Sequence, residues 1–104
     1  MKIKVMLVDD HEVVRLGLKA AMQPEEDIEV VAEAEDAAGA LREAERTRPH
    51  VVLMDVRMPG TDGIEACRVL LDRLPLIRVV MLTSFSDEQA VFASIMAGAA
   101  GYLI

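Results

Sequence analysis

Short apolar segments alternate with longer segments of helical periodicity along the whole chain, and this alternation constrains the fold more than any other feature. The segment Ile3–Val8 is apolar, contains β-branched residues and stops at two carboxylates, as a buried strand of a parallel sheet does. After it, Val14, Leu18 and Ala21 recur at the spacing of one helix face. Strands that alternate with helices of this kind predict an α/β fold, a doubly wound parallel sheet with right-handed crossovers and helices on both faces.

Turn and cap residues delimit the predicted elements. Asp36 can cap the second helix, Met58–Gly60 forms a turn, and Asp62 with Glu65 has the spacing of a capping box before the third helix. The predicted strands are Ile3–Val8, Glu29–Ala34, Val51–Met54, Arg78–Leu82 and Gly101–Ile104. The first predicted helix runs from His11 to before Pro24 and the second from Asp36 to before Pro49. The third runs from Asp62 to near Leu74 and the fourth from Ser86 to near Ala97.

The composition excludes several classes of function. The chain has 18 acidic and 11 basic residues and a formal net charge of -7, which disfavours a binding surface for a nucleic-acid backbone. Apolar runs such as Val51–Met54 are far shorter than the roughly 20 residues that cross a bilayer, and the apolar stretch before Asp9 is too short for a secretory signal. Cys67 and two distant histidines make neither a disulfide nor a structural zinc site. We therefore expect a single cytoplasmic domain that contacts neither nucleic acid nor membrane directly.

Acidic and hydroxyl residues follow three of the predicted strands at their carboxyl ends. These residues are Asp9 and Asp10 after the first strand, Asp55 after the third, and Thr83 and Ser84 after the fourth. The carboxyl ends of parallel strands open on one edge of the sheet, where ligands bind. Two carboxylates about 4 Å apart repel by roughly 4 kcal/mol at an effective dielectric constant near 20, so the cluster requires a cation or a proton. Carboxylate oxygens suit Mg²⁺ or Mn²⁺, and beside such an ion Asp55 is placed to attack a phosphoryl group.

Each of these features also has an ordinary structural explanation. An Asp pair before a helix commonly caps it, Asp55 is compatible with a solvated strand end, and hydroxyl residues are common in loops. The coincidence of all of them at three strand ends favours a functional site. His11 begins a sequence close to the zinc-protease motif His-Glu-x-x-His, but Arg15 stands where the second His belongs. We therefore expect His11 to be exposed and without a role.

Several segments of the chain resemble the receiver domain of two-component response regulators, and the resemblance extends over Ile3–Ile104. The first helix, within Asp10–Leu18, looks like that of the NarL/FixJ branch, whose members usually carry a C-terminal helix-turn-helix domain that binds promoters. The resemblance implies a flavodoxin-like sheet with strand order 2-1-3-4-5. The segments that carry it are Val8–His11, Val52–Gly60, Asp62–Gly63, Met81–Ser84 and Ala97–Leu103.

The resemblance implies a phosphoryl acceptor and a metal site. Asp55 would accept a phosphoryl group from a phosphohistidine on a sensor histidine kinase. Asp10 and Asp55 would bind Mg²⁺ directly, together with the backbone carbonyl of Arg57, and Asp9 would act through a metal-bound water. The chain would then be a stoichiometric acceptor that assists only its own phosphorylation and dephosphorylation, and not an enzyme with turnover.

The resemblance also implies a conformational switch. Thr83 and Ser84 would donate hydrogen bonds to the phosphate, and Thr83 would move toward it while Tyr102 swings inward. Such a change would control a transcriptional output domain, which is not present in this chain, and a homodimer is compatible with the family.

Two features of the family have no counterpart in the sequence. Family receivers have a Lys directly after the position of Ile104 and a fifth helix that covers one face of the sheet. We therefore expect residues 1–104 to be a receiver domain that is incomplete at its C-terminus, with the fifth helix missing. Such a chain is expected to fold and to bind Mg²⁺ but to be phosphorylated poorly.

Three other functions are alternatives to this interpretation. A small metal-dependent phosphatase that forms an aspartyl phosphate needs a general acid two residues beyond the nucleophile, where this chain has Arg57. An electron-transfer flavoprotein of the same fold needs a loop rich in Ser, Thr and Gly where this chain has Asp9, Asp10 and His11. A pseudo-receiver that acts only as a protein-interaction module would lack one of the three acids, and all three are present.

Overall fold

The structure is a computed structural model that describes residues 2–58, 60–82 and 98–103, apart from the side chains of Thr61, Tyr102 and Leu103. The described helices are α1 (Glu12–Met22), α2 (Ala37–Thr47) and α3 (Gly63–Arg73). The described strands are β1 (Ile3–Val8), β2 (Ile28–Ala34), β3 (Val51–Asp55), β4 (Arg57–Met58), β5 (Thr61–Asp62), β6 (Arg78–Leu82) and β7 (Gly101–Leu103). No helix in these ranges is long and apolar enough to cross a membrane.

Five strands form one parallel sheet in the order β2-β1-β3-β6-β7. Counted without the two short strands β4 and β5, this is the predicted order 2-1-3-4-5, so the doubly wound, flavodoxin-like prediction is confirmed. The central strand β1 is buried from Val5 to Val8, which explains its uninterrupted apolar sequence.

The hydrophobic core lies between the sheet and helices α2 and α3. Alternate strand residues face it, because successive side chains of a strand point to opposite faces. Leu53 and Val80, which face the other way, are only half-buried. The most deeply buried strand residues of this core are Met6, Val8, Val52, Met54, Val79 and Met81, and all of them are essentially inaccessible to solvent.

Helix α1 lies on the opposite face of the sheet. Arg15 and Lys19 of α1 form ion pairs with Glu33 of β2 at 3.0 and 2.8 Å, and the neighbouring Ala32 belongs to the core on the other face. No residue of α1 is fully buried. Helices therefore flank both faces of the sheet, as the alternation of elements predicts.

Two of the predicted helix boundaries can be compared with observed caps. The Asp36 side chain accepts a hydrogen bond from the Gly39 amide at 2.7 Å, which confirms the cap of α2. Asp62 is the N-cap of α3, as predicted, and its side chain accepts from the amide of Ile64 at 2.9 Å. The full capping box is not formed, because this bond goes to Ile64 and not to Glu65. The Glu65 carboxylate instead pairs with Arg68, one helical turn further on.

The chain between β3 and α3 contains a hairpin that the sequence does not predict. Strands β4 and β5 pair antiparallel around the predicted turn, where Gly60 has a φ of 67°. Two-residue strands are too short for periodicity to reveal them. The predicted helix from Ser86 to Ala97 lies outside the described residues, as does Ile104 at the end of the confirmed fifth sheet strand.

Candidate functional site

Asp9 is held at the carboxyl end of β1 by the continuation of the sheet. Its backbone amide donates to the carbonyl of Ala34 at 3.0 Å, one residue beyond the end of β1, and its side chain is buried. A buried carboxylate is costly unless it accepts hydrogen bonds. Here Asp9 Oδ1 accepts from the backbone amide of His11 at 2.8 Å, and the Arg15 guanidinium donates to the backbone carbonyl of Asp9. Asp9 is therefore fixed by both of its neighbouring elements.

Asp10 presents a carboxylate oxygen that lacks a donor. Its Oδ1 atom is buried and has no hydrogen-bond partner among the described residues. The ring Nδ1 of His11 lies 3.2 Å from it without forming a hydrogen bond. An unpartnered buried carboxylate oxygen is costly, so a cation at this position would stabilise it.

Asp55 ends β3 and is held by the hairpin that follows it. Its Oδ1 accepts from the backbone amide of Arg57 at 3.2 Å, and the next residue, Val56, donates its amide to Leu82 of β6 and accepts from Gly63 of α3, both at 3.0 Å. The Asp55 side chain is half-buried and thus still reachable from solvent.

The approach of α3 to Asp55 depends on the absence of a side chain at Gly63. A β-carbon at Gly63 would overlap the carbonyl oxygen of Asp55 and lie 2.9 Å from that of Val56. Only glycine allows the helix to begin this close to the strand end.

The fold brings the three predicted acids together. One ligand atom from each of Asp9, Asp10, His11 and Asp55 lies within 4.8 Å of the others. Burial raises the pKa of Asp55, and the charges of Asp9 and Asp10 raise it further, although the Arg57 amide opposes the shift. The hydrogen bond to Asp9 and the charge of Asp10 raise the pKa of His11. The site is therefore strongly anionic, and it favours a bound cation.

The donor set fits a divalent metal ion. Three carboxylates from two adjacent strand ends supply the hard oxygen ligands that Mg²⁺ and Mn²⁺ prefer, and the unpartnered oxygen of Asp10 is an available ligand. The Arg57 amide donates a hydrogen bond to Asp55 Oδ1, so the backbone of Arg57, whose carbonyl is a predicted metal ligand, lies next to the cluster.

The side chains of the other predicted site residues are not among those that the structure describes. Thr83 and Ser84 lie beyond β6, whose last residue Leu82 is level with Asp55 in the register of β3 and β6. Tyr102 lies in β7, where its backbone pairs with Met81, and its side chain is not described. The roles of all three residues stay predictions.

Two residues of the site are absent from the sequence-based prediction. His11 is exposed, as expected, but its ring Nδ1 lies 2.8 Å from Asp9 Oδ1, so it belongs to the cluster. Gly63 was noted only as part of a motif, although it determines how closely α3 approaches Asp55. The sequence predicts at most the backbone hydrogen bond from His11 to Asp9, since a residue two positions after an Asp is well placed to donate its amide to that carboxylate, and it does not predict where the ring lies.

Comparison with known proteins agrees with this geometry. The family profile of the response regulator receiver domain matches residues 5–104. The DNA-binding transcriptional activator DevR/DosR of Mycobacterium tuberculosis is 45% identical over 102 residues, which cover 98% of this chain and 47% of that protein. The chain spans about half the length of the curated relatives it matches.

Solved structures are similar over nearly the whole chain. A two-component response regulator of the LuxR family from Aurantimonas has a TM-score of 0.93 at 36% identity, over 98% of this chain and 73% of that one. The signal receiver domain of the putative response regulator NarL from Mycobacterium tuberculosis has a TM-score of 0.89 at 34% identity, over 98% of this chain and 82% of that one.

Proposed function

The chain belongs to the response regulator receiver domain family and resembles its NarL/LuxR members, and from this membership and the acidic cluster we propose that Asp55 accepts a phosphoryl group from a phosphohistidine of a sensor kinase. The observation that carries the proposal is the convergence of Asp9, Asp10 and Asp55 within 4.8 Å at the carboxyl edge of the sheet. Asp55 is the acid that ends the third sheet strand, and its half-exposed carboxylate is accessible to a partner.

The transfer is a displacement at phosphorus. A carboxylate oxygen of Asp55 forms the new P–O bond while the P–N bond to the donor imidazole breaks, and the imidazole nitrogen leaves with the electron pair. The Arg57 amide holds one oxygen of the Asp55 carboxylate at 3.2 Å and so orients the nucleophile.

In this proposal Asp10 and Asp55 hold Mg²⁺ or Mn²⁺ with the backbone carbonyl of Arg57, and Asp9 acts through a water. The bound ion would neutralise charge on the transferring phosphoryl oxygens. The buried Asp9 carboxylate, fixed by the His11 amide, keeps the negative charge of the site in place. The fold and the chemistry of the donor set support this arrangement.

The proposal includes the conformational switch. Thr83 and Ser84 would donate hydrogen bonds to the phosphate, and Thr83 and Tyr102 would transmit the change to the neighbouring surface. Phosphorylation adds about -1.5 to -2 of charge and strong acceptor oxygens, which is enough to bias two packings of one element. The chain would act as a stoichiometric acceptor and not as an enzyme with turnover.

We extend the proposal to the whole protein. Residues 1–104 would be the larger part of a cytoplasmic receiver domain, followed in the natural protein by a C-terminal helix-turn-helix domain that binds DNA, with homodimers as one form of the active state. The support for this is that relatives such as DevR/DosR are DNA-binding activators about twice as long as this chain. All three acids are present, so nothing supports a pseudo-receiver.

Treatment of the chain with acetyl phosphate tests the proposal. Phosphoprotein electrophoresis should show a shifted band, weak because this chain is expected to be phosphorylated poorly, that requires Mg²⁺. The band should be lost in Asp55→Asn and persist in Asp72→Asn, which changes an exposed acid of α3. Labelling that survives Asp55→Asn, or that is unchanged when Mg²⁺ is removed by a chelator, would contradict the proposed acceptor.

A further inference from the structure

His11 places a ring nitrogen inside the acidic cluster. It is the N-cap residue of α1, yet its side chain does not cap the helix. Its Nδ1 instead lies 2.8 Å from Asp9 Oδ1 and 3.2 Å from Asp10 Oδ1, so one nitrogen faces two carboxylates. The opposite edge of the ring remains in solvent, with 62% of the side chain exposed.

The His11 nitrogen lies close enough to the carboxylates to share an ion with the direct ligands Asp10 and Asp55. All four ligand atoms lie within 4.8 Å of one another. Opposite ligands of one ion stand about 4.0–4.4 Å apart at the ordinary metal–ligand distance of roughly 2.0–2.2 Å, so a shift of only a few tenths of an ångström brings these groups around one ion. A separate observation points the same way, because Asp10 Oδ1 is buried in this cluster without a hydrogen-bond donor among the described residues.

We propose that His11 Nδ1 is an additional ligand of this pocket, so that the pocket takes a borderline divalent ion such as Co²⁺, Ni²⁺ or Zn²⁺ as well as Mg²⁺. The inference rests on the metal site of the proposed function and deepens it by naming a residue that sets ion selectivity. Imidazole nitrogen is a preferred ligand of Zn²⁺, Ni²⁺ and Fe²⁺, whereas Mg²⁺ prefers oxygen. Removing the imidazole should therefore weaken the binding of borderline ions and leave that of Mg²⁺ nearly unchanged.

The competing explanation is that His11 only orients Asp9. A protonated Nδ1 at 2.8 Å would donate a hydrogen bond to Asp9 Oδ1, and such a contact could support the site without touching an ion. Two substitutions separate these roles. His11→Asn keeps a side-chain amide that can donate to Asp9 but has no imidazole nitrogen, whereas His11→Ala removes both functions.

The second histidine of the chain provides a matched control. His50 Nδ1 accepts the backbone amide of Lys4 at 2.8 Å, directly before β3 and thus at the opposite edge of the sheet from the cluster. His50→Ala therefore removes one imidazole from the protein without changing the acidic pocket.

Calorimetric titrations with Zn²⁺ alone and with Mg²⁺ alone measure the selectivity. We expect both His11 variants to raise the Kd for Zn²⁺ at least about tenfold, a loss typical of a group that supports a metal. The Kd for Mg²⁺ should change by less than about twofold, because Mg²⁺ prefers the oxygen ligands that remain. His50→Ala should change neither value. An unchanged Zn²⁺ affinity in His11→Asn, or equal losses for both ions, would overturn the proposal.

The NMR spectrum of the Co²⁺-loaded chain reports coordination directly. A coordinated His11 should give a strongly shifted ring C–H resonance, which exchange with solvent does not remove, that is present in the original chain and in His50→Ala and absent from both His11 variants. Absence of this resonance from the original chain while Co²⁺ binds would refute ligation by His11. A chain that binds Mg²⁺ but shows no effect of His11 refutes this inference alone, whereas a chain that binds neither ion refutes the metal site of the proposed function.

Discussion

Substitution of Gly63 by alanine should disrupt the close packing of the start of α3 against the end of β3. The β-carbon would overlap the Asp55 carbonyl oxygen and approach the Val56 carbonyl oxygen to 2.9 Å. Both oxygens belong to the backbone at the end of β3, so no side chain can rotate away to make room. The helix start or the strand end must move instead, and either movement strains the hydrogen bond between the Gly63 amide and Val56.

The size of the effect follows from two costs. Inserting a methyl group into a closely packed site typically costs about 1–3 kcal/mol, and loss of one backbone hydrogen bond costs about 0.5–1.5 kcal/mol. The better helix propensity of alanine opposes these by at most about 1 kcal/mol. We expect Gly63→Ala to lower the free energy of unfolding by about 2–4 kcal/mol, since backbone atoms on both sides prevent relaxation.

Urea unfolding followed by far-UV circular dichroism measures this change, with linear extrapolation to zero denaturant. Gly17→Ala is a matched control, because a β-carbon there, in the middle of α1, meets no atom of the other described elements within 4 Å. The control should stabilise the chain by roughly 0.5–1 kcal/mol. If Gly63→Ala unfolds within about 0.5 kcal/mol of the original chain, as a neutral surface substitution would, the close approach to Asp55 does not constrain this residue.

Three further predictions concern the cap, a charge network and the cysteine. Asp36→Ala should lower the free energy of urea unfolding by about 1 kcal/mol because it removes the hydrogen bond to the Gly39 amide, whereas Asp36→Asn should keep most of the stability; equal losses would contradict the cap. The hydrogen bond from Lys19 and the ion pair with Arg15 lower the folded-state pKa of Glu33. They therefore stabilise the fold above the unfolded-state pKa, and this stabilisation is lost as the pH falls through the folded-state pKa. Glu33→Gln should thus destabilise by about 0.5–1 kcal/mol near pH 7 and by progressively less as the pH falls below about 4, and a difference in unfolding free energy that stays constant with falling pH would refute the assignment. Burial raises the pKa of the Cys67 thiol to about 11, so a thiol reagent at about pH 8 should modify it only as fast as the chain unfolds, and rapid labelling of the folded chain would show that Cys67 is accessible.

The sheet could be predicted from sequence because its strands differ sharply from their surroundings. The β1 run Ile3–Val8 ends at charged residues, and Asp36 and Pro49 delimit α2 by local chemistry that does not depend on the rest of the fold. The full capping box at Asp62 was wrong because local spacing does not determine the partner of Glu65. Its carboxylate can bond either to the start of its own helix or to Arg68, and it pairs with Arg68. The hairpin β4–β5 escaped prediction because two residues show no periodicity.

The acids of the site were identified from sequence by one rule, that the carboxyl ends of parallel strands share an edge. That rule places Asp9, Asp10 and Asp55 at the same edge without any knowledge of distances. It could not show that Asp10 Oδ1 is buried without a donor, or that the His11 ring turns toward Asp9, because both depend on where α1 begins relative to β1.

The amino-acid sequence by itself determined the order of strands and helices and the acids at the strand ends, since periodicity, caps and breakers act within a few residues. Only the tertiary structure decided the separation of the acids, the membership of His11 in their cluster and the need for glycine at position 63. These properties arise between segments far apart in the chain, where β3, the hairpin and α3 meet, and contact distances there are set by packing that no local pattern encodes.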